Sequence, residues 1–182
     1  MNYHNLLTQS ISKPLVIVIV ADINYDETRF NNLLQLISST DVTKQAVLLN
    51  YRVSWVMSHC GINFPTLFSD KVIDYLLLPT ANQQQHTGYI RNVLRAFQDL
   101  DVKANINPNL LNTAFNVATN NSETIAARAF AITIIENIGK YEPDILRELL
   151  LVLDNTQAQY SRAVQYRIKK ATVAYNKIMI NC

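Results

Sequence analysis

Four arginines recur along the chain at almost constant spacing: Arg52, Arg91, Arg128 and Arg167, separated by 39, 37 and 39 residues. Each lies within a stretch whose apolar residues step by three and four, the period of a helix buried on one side. Pro65, Pro108 and Pro143 keep rough step with them, each at the start of another such stretch. Proline is at home in the first turn of a helix, because the N–H it lacks would have no partner there. A unit of about 38 residues holding two helices cannot bury its apolar faces alone and must stack on further copies. The period therefore predicts an all-α, right-handed α-α superhelix of about five helix pairs.

Composition agrees. Of the 182 residues, 49% are hydrophobic and only 16% charged, the reverse of a disordered chain. Asparagine supplies much of the remaining polarity, at 20 positions. Glycine occurs three times and no Asn-Gly hairpin dipeptide is present, which favours helices over strands. We expect one domain over residues 1–182, with 1–25 as an N-terminal cap and 155–182 as a basic C-terminal capping helix. Cys60 and Cys182 make no disulfide framework, so a reducing, cytoplasmic setting is the simpler expectation. The apolar run from Leu15 to Ala21 is far shorter than the ~20 residues a membrane span needs. It reads either as a buried helix or as the core of a signal segment.

Caps and periodicity place the helices. A first pair is expected over 3–10 and 14–23, then a stretch capped by Asp26 to Ser38. The next, capped by Asp41, is expected to run to Cys60 and end at Gly61. Pro65 opens a helix to about Leu78, and Pro79 with the polar run 80–86 makes a loop. Thr87 opens a helix to about Leu100, and Asn107 caps one begun by Pro108. Ser122 caps the most apolar helix, which ends at Gly139; Pro143 begins the next, and the last spans about 159–178. Gly61 precedes Pro65 by four residues, as Gly139 precedes Pro143, so one turn is expected to be used twice.

At Arg52-Val53-Ser54-Trp55-Val56-Met57-Ser58-His59-Cys60, at Ala126-Ala127-Arg128-Ala129-Phe130-Ala131-Ile132 and from Ile138 to Leu149, the chain resembles the HEAT/armadillo-like helical repeats. In detail it is similar to small bacterial proteins of that class. The resemblance runs from about Asp26 to Ala174, and the apolar start departs from it. It implies the solenoid fold, with the second helix of each repeat along a binding surface. It implies no activity.

Two sets of residues are candidates for function. The arginines could form a comb of cations, but a guanidinium inside an apolar helix must find partners. Arg52, Arg91 and Arg128 are therefore expected to be structural, each bonding a neighbouring repeat. The last segment has no acid after Asp154 and carries +5 over residues 155–182, leaving −3 for the rest. Its Arg162, Arg167, Lys169 and Lys170, interleaved with tyrosines, are the candidate partner-binding residues. Trp55 and His59 share a helix face, and Trp55 is expected in the core. His4, His59 and His86 have no metal-ligand spacing. No phosphate loop, dinucleotide fingerprint or nucleophile elbow is present, so no catalytic residue or cofactor is assigned. The leading expectation is a non-enzymatic module for a protein or peptide partner. The alternative is a nucleic-acid-binding helical repeat, shaped like a DNA-repair glycosylase. Few surface charges and many amides also allow self-association.

Overall fold

The computed structural model describes residues 1–81, 85–101, 106–154 and 160–180. Residues 82–84 of the loop at 80–86, the first residues of the 155–182 segment and Cys182 lie outside the described residues. Ten α-helices, two short 3-10 turns and no strand are found among those described. Taken in chain order, the ten helices divide into five successive pairs. They are α1 (Tyr3–Gln9) with α2 (Lys13–Ile23), α3 (Glu27–Leu34) with α4 (Lys44–Asn63), α5 (Asp70–Leu77) with α6 (Gly88–Phe97), α7 (Pro108–Thr119) with α8 (Ile125–Ile138), and α9 (Pro143–Asp154) with α10 (Arg162–Ile180). The chain forms two compact units, Met1–Leu100 with α1–α6 and Asp101–Cys182 with α7–α10.

Short polar side chains set the helix starts. Asn2, Ser12, Asp26, Thr43, Asn107 and Thr124 each accept a hydrogen bond from the backbone N–H three residues on. Each such cap contributes about 1 kcal/mol. Asp26 and Asn107 are capping residues as anticipated. Asp41 is not: its Oδ1 takes the N–H of Thr43 at 2.9 Å, and Thr43 caps α4 instead. That bond holds the Asp41 carboxyl below its usual range. Thr124 likewise displaces Ser122, while the Ser122 N–H and Oγ both donate to Asn120 Oδ1. The stretch after Asp26 is helical only to Leu34.

In the first unit α4 is central, packed by α1, α2 and α6. Its inner side buries Val53, Val56, Met57 and Cys60 completely. Gly61 does not end it. The helix runs on to Asn63, and Gly61 lies where α4 meets α6. A methyl group there would fall on the Ala96 carbonyl oxygen and within 2.7 Å of the Ala96 Cα. Gly88 does the converse job at the other end of α6, where a Cβ would stand 2.6 Å from the Tyr51 ring. Between them Asn92 Nδ2 donates to Ser54 Oγ at 3.1 Å, with both residues buried. The pairs Tyr51/Gly88, Ser54/Asn92 and Gly61/Ala96 rise together along both helices, so α4 and α6 run parallel in a fixed register.

Gly139 does stop α8, with φ −63 rather than a left-handed conformation; a Cβ there would meet Leu146 Cβ at 2.5 Å. Pro65 opens only a 3-10 turn, Pro65–Leu67, and α5 begins after Ser69, whereas Pro143 opens α9 directly. The two Gly–Pro segments are therefore different turns. At Gly61 the missing side chain lets two backbones meet, and at Gly139 it makes room for the Leu146 side chain.

The apolar run 15–21 forms most of α2, with Val16, Ile19, Val20 and Ile23 buried and Ile17 and Val18 about half exposed. Its far end turns sharply through Asn24 and Tyr25, at φ 38 and 64. Tyr25 anchors this corner by donating to the Asn63 carbonyl at 3.1 Å and packing edge-on to Phe64. Asp22 ties three helices: it accepts from Tyr3 Oη at 2.7 Å and from Arg29 Nη1 at 3.1 Å. In the second unit α8 is packed by α7, α9 and α10, which suits a helix apolar on nearly every side. Among the described residues no helix is long and apolar enough to cross a membrane.

Gly61→Ala should therefore cost about 3 kcal/mol, since the clash is with backbone that no rotamer can move. Thermal unfolding would register a fall of roughly 10 °C; an unchanged midpoint would contradict the close approach. The Tyr3 hydrogen bond, followed by the Arg29 charge, holds the Asp22 carboxyl below its ordinary range. A lowered folded-state value stabilises above the ordinary carboxylate range and is lost as pH falls through it. Asp22→Asn should flatten the acid limb of a stability-against-pH curve between neutral pH and about pH 3.

Candidate functional site

The four periodic arginines all lie on the second helix of a pair, yet their surroundings differ. Arg52 on α4 donates through Nη1 to the carbonyls of Leu7 at 2.6 Å and Thr8 at 2.8 Å. These are last-turn carbonyls of α1, which lack intrahelical partners and carry the negative end of the helix dipole. Arg128 on α8 repeats the arrangement: its Nε donates at 3.1 Å to Ala118, in the last turn of α7. Its guanidinium also lies 4.5 Å from the centre of the Tyr160 ring. Arg128 is only 6% exposed, so its charge faces the protein rather than a partner. Arg91 is half-buried and donates through Nη2 to Asn92 Oδ1 at 3.2 Å. Arg167, on α10, is half-buried as well.

The basic last helix is less open than its charge suggests. Lys170 Nζ stands 3.8 Å from Oε1 of Glu136, a carboxylate 6% exposed on α8. Arg162 and Lys169 are exposed. Tyr166, Val173 and Ile180 are exposed beside them, at 66%, 53% and 83%.

A different surface gathers more of what a binding site needs. On the open sides of α2, α4 and α6 lie three pairs spaced four apart: Lys13 and Ile17, Trp55 and His59, Arg91 and Arg95. Residues four apart project from the same side of a helix. Trp55 is half-buried there, against the expectation that it joins the core. The α4 inner side is filled by Val53, Val56 and Met57, which leaves the indole at the rim. The α4–α6 register brings Arg91 level with Ser54 and Trp55, and Arg95 level with His59. Burial holds the His59 imidazole below its ordinary range, and the charges of Arg95 and then Lys13 push it further the same way. The histidine is therefore neutral at pH 7 and is flanked by cations from both neighbouring helices. No acid occurs in α4 or α6, and the one acid of α2, Asp22, is held by Tyr3 and Arg29.

Sequence reasoning placed Trp55 and His59 on one face but did not join them to Lys13 and Arg95. The available signal was the lack of any acid from Lys44 to Asn63 and from Gly88 to Phe97. Asn50 was also missed. Fully buried on α4, it clamps the preceding loop, accepting from the Ser38 N–H at 2.9 Å and donating to the Ser38 carbonyl at 2.7 Å.

Removing the Arg128 side chain should leave the Ala118 carbonyl and the Tyr160 ring without their partner. We expect Arg128→Ala to lose about 3 kcal/mol in denaturant unfolding, with Arg167→Ala within about 0.5 kcal/mol of the parent. Equal losses for the two would show that position in the repeat, rather than contact, sets their worth.

No curated protein and no solved structure matches the chain at a significant level. The family described as HEAT repeat domain matches residues 3–174, through both compact units. With ten helices and no strand among the described residues, and a family match over nearly all its length, the chain belongs to the HEAT repeat domain family.

Proposed function

We propose that the protein is a non-enzymatic interaction module that binds a protein or peptide partner on the open face of α2, α4 and α6. One observation carries this reading: a half-buried tryptophan at the rim of α4, level with arginines of α6, on helices free of uncompensated acid. Tryptophan and arginine dominate the energetics of protein interfaces, because they combine large contact area with a fixed geometry. HEAT repeats commonly mediate protein interactions, and the family membership supports the same class of function. A cytoplasmic setting goes with this reading, since the two cysteines of the chain form no disulfide framework. Self-association belongs to the same reading, with a second copy as one possible kind of partner.

A second reading rests on α10. Its five cations and lack of acid fit a nucleic-acid surface through Arg162, Arg167 and Lys169, with Lys170 drawn toward Glu136. Affinity capture with quantitative mass spectrometry separates the two. Proteins retained by the parent should be lost with Trp55→Ala and with Arg95→Glu, and kept when Arg162 and Lys169 become glutamate. Loss only with the α10 variants, together with nucleic acid in the eluate, would replace the first reading with the second.

A further inference from the structure

Building on the binding-module reading, we infer that the open face of α2, α4 and α6 takes an acidic peptide segment bearing one large apolar side chain. That side chain lies against Trp55 and Ile17, and the carboxylates face Lys13, Arg91 and Arg95. The sign of the charge comes from the helices themselves. The fixed charges of the two outer pairs, Lys13 on α2 and Arg91 and Arg95 on α6, are positive, His59 is neutral between them, and the nearest following acid, Asp99, is exposed past the end of α6. An anionic partner therefore meets complementary potential across the face, whereas a basic one meets like charge, which disfavours association.

The apolar part of the partner follows from what remains exposed. Ile17 is 55% exposed on α2, and Ile62 is 45% exposed on α4, the helix that carries the half-buried indole. Phosphate backbone would leave these surfaces wet. Three cations also supply few of the phosphate contacts on which nucleic-acid affinity depends. A side chain such as Phe, Leu or Trp would cover the indole and desolvate the surrounding ion pairs, strengthening them. The length follows from the packing. α4 touches both α2 and α6, so the face spans two interaxial steps, about 20 Å. An extended segment of roughly six residues crosses it. That is enough for one anchor and two or three carboxylates.

The test begins with selection of a random peptide display library on the full-length protein, followed by fluorescence anisotropy of the enriched peptides after synthesis. Enriched peptides should be net acidic with at least one large apolar residue, and should lose affinity as salt rises. Trp55→Ala should weaken them about thirtyfold or more, the effect of an interface hot spot. Arg95→Glu, a change on the open side of α6, should weaken them at least tenfold, and a selection on that variant should no longer favour acids. Thermal melting of both variants checks that each is folded. Enriched peptides that are neutral or basic yet depend on Trp55 would overturn the acidic partner while leaving the binding face standing. Peptide binding indifferent to both substitutions, or no enrichment at all, would overturn the face as well. A labelled single-stranded oligonucleotide provides the remaining arm: tight binding that needs Trp55 and Arg95, uncontested by any enriched peptide, would assign the face to nucleic acid and overturn the inference.

Discussion

Backbone lies against backbone where Gly61 of α4 meets Ala96 of α6. That contact exists because position 61 has no side chain, and the arrangement of the first unit follows from it. It sets how far α6 slides along α4, and the Ser54–Asn92 hydrogen bond and the Tyr51–Gly88 contact fix the same register at two further levels. With the register fixed, the side chains four apart on each helix fall level, Arg91 beside Trp55 and Arg95 beside His59. A slip of one turn, about 5.4 Å, would separate the cations from the aromatic. The site is thus a consequence of helix packing and not of any local motif.

α4 also organises what precedes it. Asn50 closes on the loop at Ser38, and Arg52 closes on the last turn of α1. Both are polar groups on a buried or half-buried stretch of helix, and both satisfy backbone groups that no helix can satisfy by itself. Arg52 reaches both the Leu7 and the Thr8 carbonyl from a single nitrogen, Nη1.

The features legible in the sequence are those that depend on neighbours along the chain. Asp26, Asn107 and Pro143 mark helix starts because a cap or a first-turn proline acts within four residues. The two-helix period was legible because burial repeats with the helix. Gly61 was misread for the complementary reason. Near the end of an apolar stretch a glycine most often serves as a left-handed cap, and nothing adjacent to it announces that Ala96, 35 residues later, needs the space. Trp55 was misread similarly: its neighbours Val53, Val56 and Met57 are core residues, but its own direction around the helix depends on which side α1, α2 and α6 cover. Asp41 and Ser122 are good capping residues by type, displaced because Thr43 and Thr124 lie closer to the turns where their helices begin.

Charge was the least legible property, because counting cations along a chain does not reveal what each one faces. Over 155–182 the count is +5, the steepest bias in the protein. Lys170 nevertheless answers a buried carboxylate on α8, whose second oxygen, Oε2, has no hydrogen-bond partner among the described residues. Removing that lysine would strand a charge in a place where water cannot solvate it, so its first role is internal. Arg52 and Arg128 are similarly committed to helix ends. Lys13 and Arg95 stand differently: no acid on their own helices answers them, and they face a histidine that burial keeps neutral. The positive potential open to a partner in the first unit therefore lies along helices with a modest count of cations, where uncompensated charge and the half-buried indole coincide.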